Sequence, residues 1–275
     1  MVGIFDSGVG GLSVFREIFR RLPGESYIYY SDNAHCPYGE KSQDYVTARA
    51  RWITEHLIQE GAEIIVVACN TATAAAIATL RREYSDSSSP EVREMVSRLS
   101  SGRQDHIMFI GMEPAVKPAA LNTRSGTIGV LATAGTLNGN KYITSRDLYS
   151  NDVKIVEHVG QGFVELVENG NTSGAEAEDV VTESVKPLLD SGADTIVLGC
   201  THYPFLKDTI EKVARKLAPE RHVTIIDPAP AVARHLVEVM KQEGLLTEDR
   251  STRPDIRLES SGCPEGLQRM FSSII

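Results

Sequence analysis

An α/β fold of two pseudo-symmetric domains, each a mostly parallel sheet flanked by helices, is predicted by three observations. Short β-rich runs alternate with longer amphipathic stretches, one strand-to-turn segment recurs, and two further segments repeat in the same order. The strand-like runs fall at residues 2–5, 26–30, 64–68, 106–110, 127–131, 152–158, 195–198 and 223–226, with spacings that leave room for crossover helices. Functional groups are then expected at the carboxyl ends of the strands.

The recurring segments divide the chain. Residues 61–71 align without gaps to residues 192–202; five of eleven positions are identical, and Cys69 falls on Cys200. Residues 2–7 match 128–133, placing Asp6 against Ala132 and Ser7 against Thr133. Residues 109–114 match 224–228, each a strand followed by an acidic residue and a proline that suits the first position of a helix. The third pair reads as the two crossings between domains, so the first domain is expected over 1–112 plus 227–275 and the second over 113–226. The active site is expected in the cleft between them.

The intervening elements are set by their patterning. Residues 48–60 carry Trp52, Ile53, His56, Leu57 and Glu60 at three- and four-residue steps and stop at Gly61, which predicts a helix with this stripe in the core. Residues 85–105, with their Ser-Ser-Ser-Pro and Ser-Ser-Gly runs, predict a surface excursion around one short helical piece. Gly8-Val9-Gly10-Gly11 fits neither phosphate-binding fingerprint and reads as a tight strand-to-helix turn.

Composition narrows the class of function. The 275 residues, 41% hydrophobic and 24% charged, describe an ordinary globular protein and exclude a stapled miniature scaffold or a disordered tail. Charge balances to 28 − 37 = −9, which disfavours nucleic acid and anionic membranes as partners. No apolar run approaches the ~20 residues of a bilayer span, and Met1 leads straight into the first strand without a leader, so a cytoplasmic location is expected. Cys36, Cys69, Cys200 and Cys263 form no CxxC and predict neither a disulfide framework nor a metal site.

A strand that ends in cysteine just before a helix puts sulfur near unpaired N–H groups and the positive end of the helix dipole, which favours the thiolate. Taken singly, Cys69 or Cys200 reads as a small buried residue. Their recurrence at equivalent points of a repeat reverses this, because two opposed thiols suit removal of a proton from one face of a carbon and its delivery to the other. A hydrolase dyad of Cys200 with His202 is disfavoured, since neighbours this close in sequence rarely reach nucleophile–base geometry.

Four motifs carry a resemblance: Asp6-Ser7-Gly8-Val9-Gly10-Gly11-Leu12, Cys36-Pro37-Tyr38-Gly39, Ala68-Cys69-Asn70-Thr71-Ala72-Thr73 and Gly199-Cys200-Thr201-His202-Tyr203-Pro204. Together, and in order over nearly the whole chain, they resemble the glutamate racemases of the cofactor-independent aspartate/glutamate racemase superfamily. The resemblance implies that Cys69 and Cys200 exchange the α-proton of glutamate, Cys69 acting on the D-enantiomer and Cys200 on the L-enantiomer. It further implies that Asp6 assists near Cys69 or accepts the substrate ammonium, that His202 helps Cys200 exchange its proton, and that an additional acidic residue is Glu168 or its competitor Glu165. For Asp6 the plain alternative is a helix cap, which its repeat partner Ala132 does not share.

Substrate carboxylates are assigned by the same resemblance to neutral donors: Ser7, Asn70, Thr71, Thr133, Thr136, Thr201 and His202, with Tyr38 and Gly39. No cofactor is implied, and no pyridoxal lysine motif stands out. A homodimer is expected, with D-glutamate supplied to peptidoglycan synthesis. Aspartate racemase is the alternative within the superfamily; a non-catalytic binding protein for acidic amino acids is the alternative outside it. Cys36 and Cys263 read as incidental thiols. Residues 31–35 depart from the family, Asn33 standing where a hydroxyl residue is usual, which puts local hydrogen bonding in question.

Overall fold

The computed structural model describes residues 1–247 and 254–275; residues 248–253, inside the span expected for the first domain, lie outside the described residues. The chain divides into two compact units, Met1–Met112 with Ala229–Ile275, and Glu113–Pro228.

The first unit is built on a parallel sheet of β1 (Val2–Asp6), β2 (Tyr27–Ser31), β3 (Ile64–Val67), β4 (Met108–Gly111) and β9 (Ile256–Ser260), in the order β4-β3-β1-β2-β9. Every residue of β1, β2 and β3 is buried, as expected of parallel strands covered by helices on both faces. Alternate residues serve the two faces. Phe5, Ile28, Tyr30, Ile65 and Val67 join a core with the helices Gln43–Gln59, Asn70–Tyr84 and Pro90–Leu99. On the other face Tyr27 and Tyr29 meet Phe15 of the helix Leu12–Arg21 edge-on, and Phe15 also packs on Phe271 of the helix Pro264–Ile274.

The second unit holds β5 (Thr127–Ala132), β6 (Lys154–Val159), β7 (Thr195–Gly199) and β8 (Thr224–Ile226), all parallel, in the order β6-β5-β7-β8. Reversed, this reads β8-β7-β5-β6, the order of β4-β3-β1-β2 in the first unit. The three sequence repeats fall on equivalent strands: β1 with β5, β3 with β7 and β4 with β8.

All eight expected strands are present, and β9 adds one that is not among them; its run is short, and it pairs with β2 across more than 220 residues of chain. Two expectations need correction. The helix Gln43–Gln59 begins earlier than expected, at a Ser42 cap that accepts from the Tyr45 N–H. Its apolar stripe also splits: Ile53 and Leu57 are buried, whereas Trp52 is 49% exposed and stacks on His56 at the surface. Neither proline of the third repeat is the first helical residue either: Pro114 precedes a helix that starts at Val116, and Pro228 one that starts at Ala229. The excursion at 85–105 carries the helix Pro90–Leu99, capped by Ser89. Among the described residues no helix is long and apolar enough to cross a membrane.

The second unit is tied at the amino ends of its strands by Asp194. Its carboxylate accepts from the Thr123 hydroxyl at 2.6 Å, the N–H groups of Arg124 and Ser125 at 2.7 Å each, and the Thr195 hydroxyl at 3.0 Å. Burial works to raise the pKa of this carboxyl, and the four donors outweigh it, leaving it below the usual carboxylate value. A lowered folded-state pKa stabilises the fold above the unfolded-state value, and that stability is lost as pH falls through the folded value. Asp194→Asn is therefore expected to cost roughly 2 kcal/mol at neutral pH, through donors left without an anionic acceptor. Thermal melts from pH 7 downwards should show part of the native protein's acid sensitivity missing in the variant; equal melts at all pH values would refute this account.

Candidate active site

Both cysteines singled out from the sequence stand just beyond the carboxyl end of a buried strand, in each case the strand beside the one that opens its unit's chain. In the first unit β3 ends at Val67, and Cys69 caps the 15-residue helix Asn70–Tyr84. The Cys69 sulfur accepts from the Ala72 N–H at 3.4 Å and lies 3.8 Å from the Ser7 hydroxyl oxygen. Such an N–H hydrogen bond, on the axis of a helix dipole, favours the thiolate over the thiol. Thr73, one turn into the helix, donates to the carbonyl of Val67 at 3.2 Å and accepts from the N–H of Met112 at 3.0 Å, which fixes the helix start against β3 and the end of β4.

Asp6 ends the adjacent strand β1 and is fully buried. Its Oδ2 accepts from the N–H of Gly11 at 2.8 Å and of Gly8 at 3.3 Å. The capping alternative is thus partly realised: Asp6 braces the turn, although the helix Leu12–Arg21 is capped by Gly11 with no side-chain bond. Tyr29 holds the same turn by donating to the carbonyl of Gly8 at 3.0 Å. Glycine at 11 is required by close approach, since a Cβ there would stand 2.6 Å from the Asp6 Cβ and 2.7 Å from the Tyr29 hydroxyl.

Asn70 is the unusual polar group of this half. Its side chain is buried, and neither its amide nitrogen nor its oxygen has a hydrogen-bond partner in the structure. An orphaned buried amide is costly, and a ligand that supplies its partners is one explanation. Thr71 is buried beside it in sequence. Tyr38 is buried in the same core cluster as Cys69 and opens the short 3₁₀ turn Tyr38–Glu40, which contains Gly39. Burial, with Asp32 alongside, pushes the Tyr38 phenol far above its ordinary value, so the hydroxyl stays protonated.

In the second unit β7 ends at Gly199 and the chain turns through Cys200, Thr201 and His202, all buried. His202 Nδ1 lies 3.7 Å from the Cys200 sulfur, and His202 Nε2 lies 2.7 Å from Glu168 Oε1. The two residues come this close because the 3₁₀ turn Tyr203–Leu206 begins at once and swings the imidazole back toward the sulfur. Buried Tyr203 anchors that turn by donating to the carbonyl of Gly160 at 3.3 Å. Of the two acidic candidates, Glu168 meets His202, while Glu165 lies in the first turn of its helix.

Thr133 follows β5 as the cap of the helix Ala134–Leu137. Its hydroxyl accepts from the Thr136 N–H at 3.2 Å and lies 3.0 Å from the Thr136 hydroxyl, so these two donors are oriented by each other. Cys36 joins Pro37 through a cis peptide bond, and exposed Cys263 bonds the Glu265 carboxylate. Arg49 and Tyr29 carry no sequence signal of a role here. Their partners lie 17 and 21 residues away, beyond any local motif.

A family model for Asp/Glu/Hydantoin racemases matches residues 103–236. The chain is 46% identical over 276 residues to the glutamate racemase of Ectopseudomonas mendocina, an alignment that covers 100% of this chain and 94% of that one. Among solved structures, a glutamate racemase isoform from Bacillus anthracis superposes with a TM-score of 0.81 at 32% identity, covering 99% of this chain and 92% of the other. The Escherichia coli glutamate racemase, solved with L-glutamate and the activator UDP-MurNAc-ala, gives 0.76 at 31% identity, covering 99% and 94%. With two cysteines on equivalent strands of two sheets of one topology, and identity of this order from end to end, the chain belongs to the glutamate racemase family.

Proposed function

We propose that this chain interconverts L- and D-glutamate by exchange of the α-proton between two thiols. The observation that carries the reading is the equivalence of Cys69 and Cys200: each stands just past the same strand of one sheet order, in two halves that share sequence. The substrate is supported by the relatives, one of which was solved with L-glutamate.

In the direction from L to D, the Cys200 thiolate removes the α-proton and the Cys69 thiol delivers one to the opposite face; the reverse reaction exchanges their roles. His202, held by Glu168, returns the Cys200 sulfur to its starting state by relaying the proton. Asp6 serves the same purpose beside Cys69 or accepts the substrate ammonium. Ser7, Asn70, Thr71, Thr133, Thr136 and Thr201, with the Tyr38–Gly39 backbone, hold the two carboxylates. Neutral donors aimed at developing charge make the α-carbanion accessible without a cofactor. The enzyme works in the cytoplasm as a homodimer and supplies D-glutamate for peptidoglycan.

The direct test is circular dichroism of L-glutamate, then L-aspartate, with no cofactor, in D₂O with α-deuterium read by NMR. Loss of rotation with deuterium uptake from glutamate alone is expected; turnover of aspartate instead, or binding without turnover, overturns the reading. Cys69→Ala and Cys200→Ala should each abolish inversion.

Glu168→Gln is expected to lower kcat/KM by about 10²-fold by freeing the imidazole. The two enantiomers have equal free energy in water, so the factor must be the same in both directions. The asymmetry between the thiols shows instead in deuterium uptake by the unreacted enantiomer. Native values in the variant would remove Glu168 from the mechanism.

Asn70→Ala should raise KM for glutamate about tenfold or more while costing the ligand-free fold little, since the amide it deletes has no partner there. A large loss of melting temperature with unchanged KM would instead make Asn70 a structural residue.

A further inference from the structure

We infer that Asp32 is a positioning residue for the substrate-binding turn at Tyr38–Gly39, and that the loop at residues 260–263, from the far end of the chain, braces it in place. The inference rests on the reading that this turn receives a substrate carboxylate. The buried charge and the loop contacts are read directly from the first unit.

Asp32 follows β2 at the carboxyl edge of the sheet and is fully buried. Its Oδ1 accepts from Arg49 Nη2 at 2.7 Å, and its Oδ2 accepts from Arg49 Nε at 3.0 Å and from the Tyr38 hydroxyl at 2.5 Å. Its own N–H donates to the carbonyl of Asp6 at 2.9 Å. One residue thus connects the Asp6 end of β1 to the side chain of Tyr38. Burial acts to raise the carboxyl's pKa; the Arg49 and Tyr38 hydrogen bonds outweigh it and hold Asp32 ionised, with a further contribution from Ser261.

The brace comes from the segment after β9. Ser261 donates its N–H to the carbonyl of Ser31 at 3.0 Å, and its hydroxyl accepts from the N–H of Ala34 at 3.1 Å. The Ser260 hydroxyl donates to Asn33 Oδ1 at 2.8 Å, and Asn33 Nδ2 donates to the carbonyl of Cys263 at 3.0 Å. Asn33, the residue that departs from the family, is therefore the group the loop grips: an amide offers a donor and an acceptor to two loop residues, which a hydroxyl at the same place reaches less well. The segment from 31 to 38 is pinned at one end by β2, in its middle by the loop, and at the far end by the phenol of Tyr38.

A buried ion pair is weak support for stability, because desolvation offsets most of its Coulombic gain. What the bidentate geometry supplies is a fixed place for Tyr38. Arg49 is spent inside this network and stacks over Trp52 at 4.9 Å from the ring centre, so its charge belongs to the scaffold. Backbone donors held this way bind a carboxylate without further ordering, and a displaced turn weakens binding more than chemistry.

The test measures racemisation of both enantiomers by the full chain and by three variants. Asp32→Asn removes the charge and keeps the shape. Gly262→Ala perturbs only the brace, because its Cβ would stand 2.9 Å from Asn33 Oδ1 and 3.4 Å from the Ala34 nitrogen. Asp194→Asn alters an equally well-bonded carboxylate in the other unit and serves as the control for stability alone. Asp32→Asn and Gly262→Ala are expected to raise KM for L- and D-glutamate about tenfold, with kcat within about twofold of native, as a small misplacement of a binding element produces. The control should lower the melting temperature and keep native KM.

Either variant melting lower with native KM, or losing kcat with native KM, overturns the positioning role. If Asp32→Asn does not fold, Gly262→Ala decides. A native chain that racemises no glutamate refutes the functional reading and this inference with it, whereas native turnover with unaltered KM in both variants refutes the inference alone.

Discussion

A cysteine that ends a buried parallel strand and lies at the start of the following turn or helix is the constraint on which the rest of this protein depends. The strand fixes where the sulfur stands, because β3 and β7 are buried along their whole length and paired on both sides. The element after the strand fixes the sulfur's chemistry. At Cys69 a 15-residue helix points the Ala72 N–H at the sulfur, and at Cys200 a tight 3₁₀ turn brings an imidazole there instead. One duplicated framework therefore presents two sulfurs in two different proton environments, a difference the repeat alignment hides because it pairs His202 with Thr71.

The supporting groups come from the same edge of each sheet. Carboxyl ends of parallel strands leave N–H groups and side chains converging on one rim, and Asp6, Asp32, Ser7, Asn70, Thr133 and Thr201 all come from there. In the first unit the guanidinium of Arg49 is turned to Asp32. It is consumed there, and in the proposed reading recognition of glutamate is left to amides and hydroxyls. For a chain of net charge −9 this is coherent: attraction at long range is weak, and binding relies on short-range geometry. Geometry of that kind requires rigid placement, and the turns at 7–11 and 31–38 are held by side-chain hydrogen bonds from Tyr29 and Asn33.

Sequence and fold agree most closely where the signal is local and repeated. The eight strands, the recurrence of Cys69 in Cys200 and the turn at Gly8 to Gly11 are written in runs of four to eleven residues, the length over which strand burial and turn chemistry act. Agreement fails where a residue's neighbours are distant. Trp52 has the spacing of a core residue yet lies on the outer side of its helix, because Ile53 and Leu57 take the inner side. β9 has a short alternating run that becomes a strand only by pairing with β2.

By itself, then, the sequence determined the α/β class, the duplicated order of strands, the two thiols and the polar residues beside them, since each is set by hydrophobic period or by motif. Tertiary structure alone decided that Glu168 is the carboxylate on His202, that His202 reaches the Cys200 sulfur, that Asn70 is buried without partners, and that Asp32 joins Arg49, Tyr38 and the loop at 260–263. These are contacts between residues up to 230 apart in the chain, or turn conformations that swing a side chain back on its neighbour. No local pattern encodes them, because hydrogen bonds of this kind form only after apolar burial has fixed the strands and helices that carry both partners.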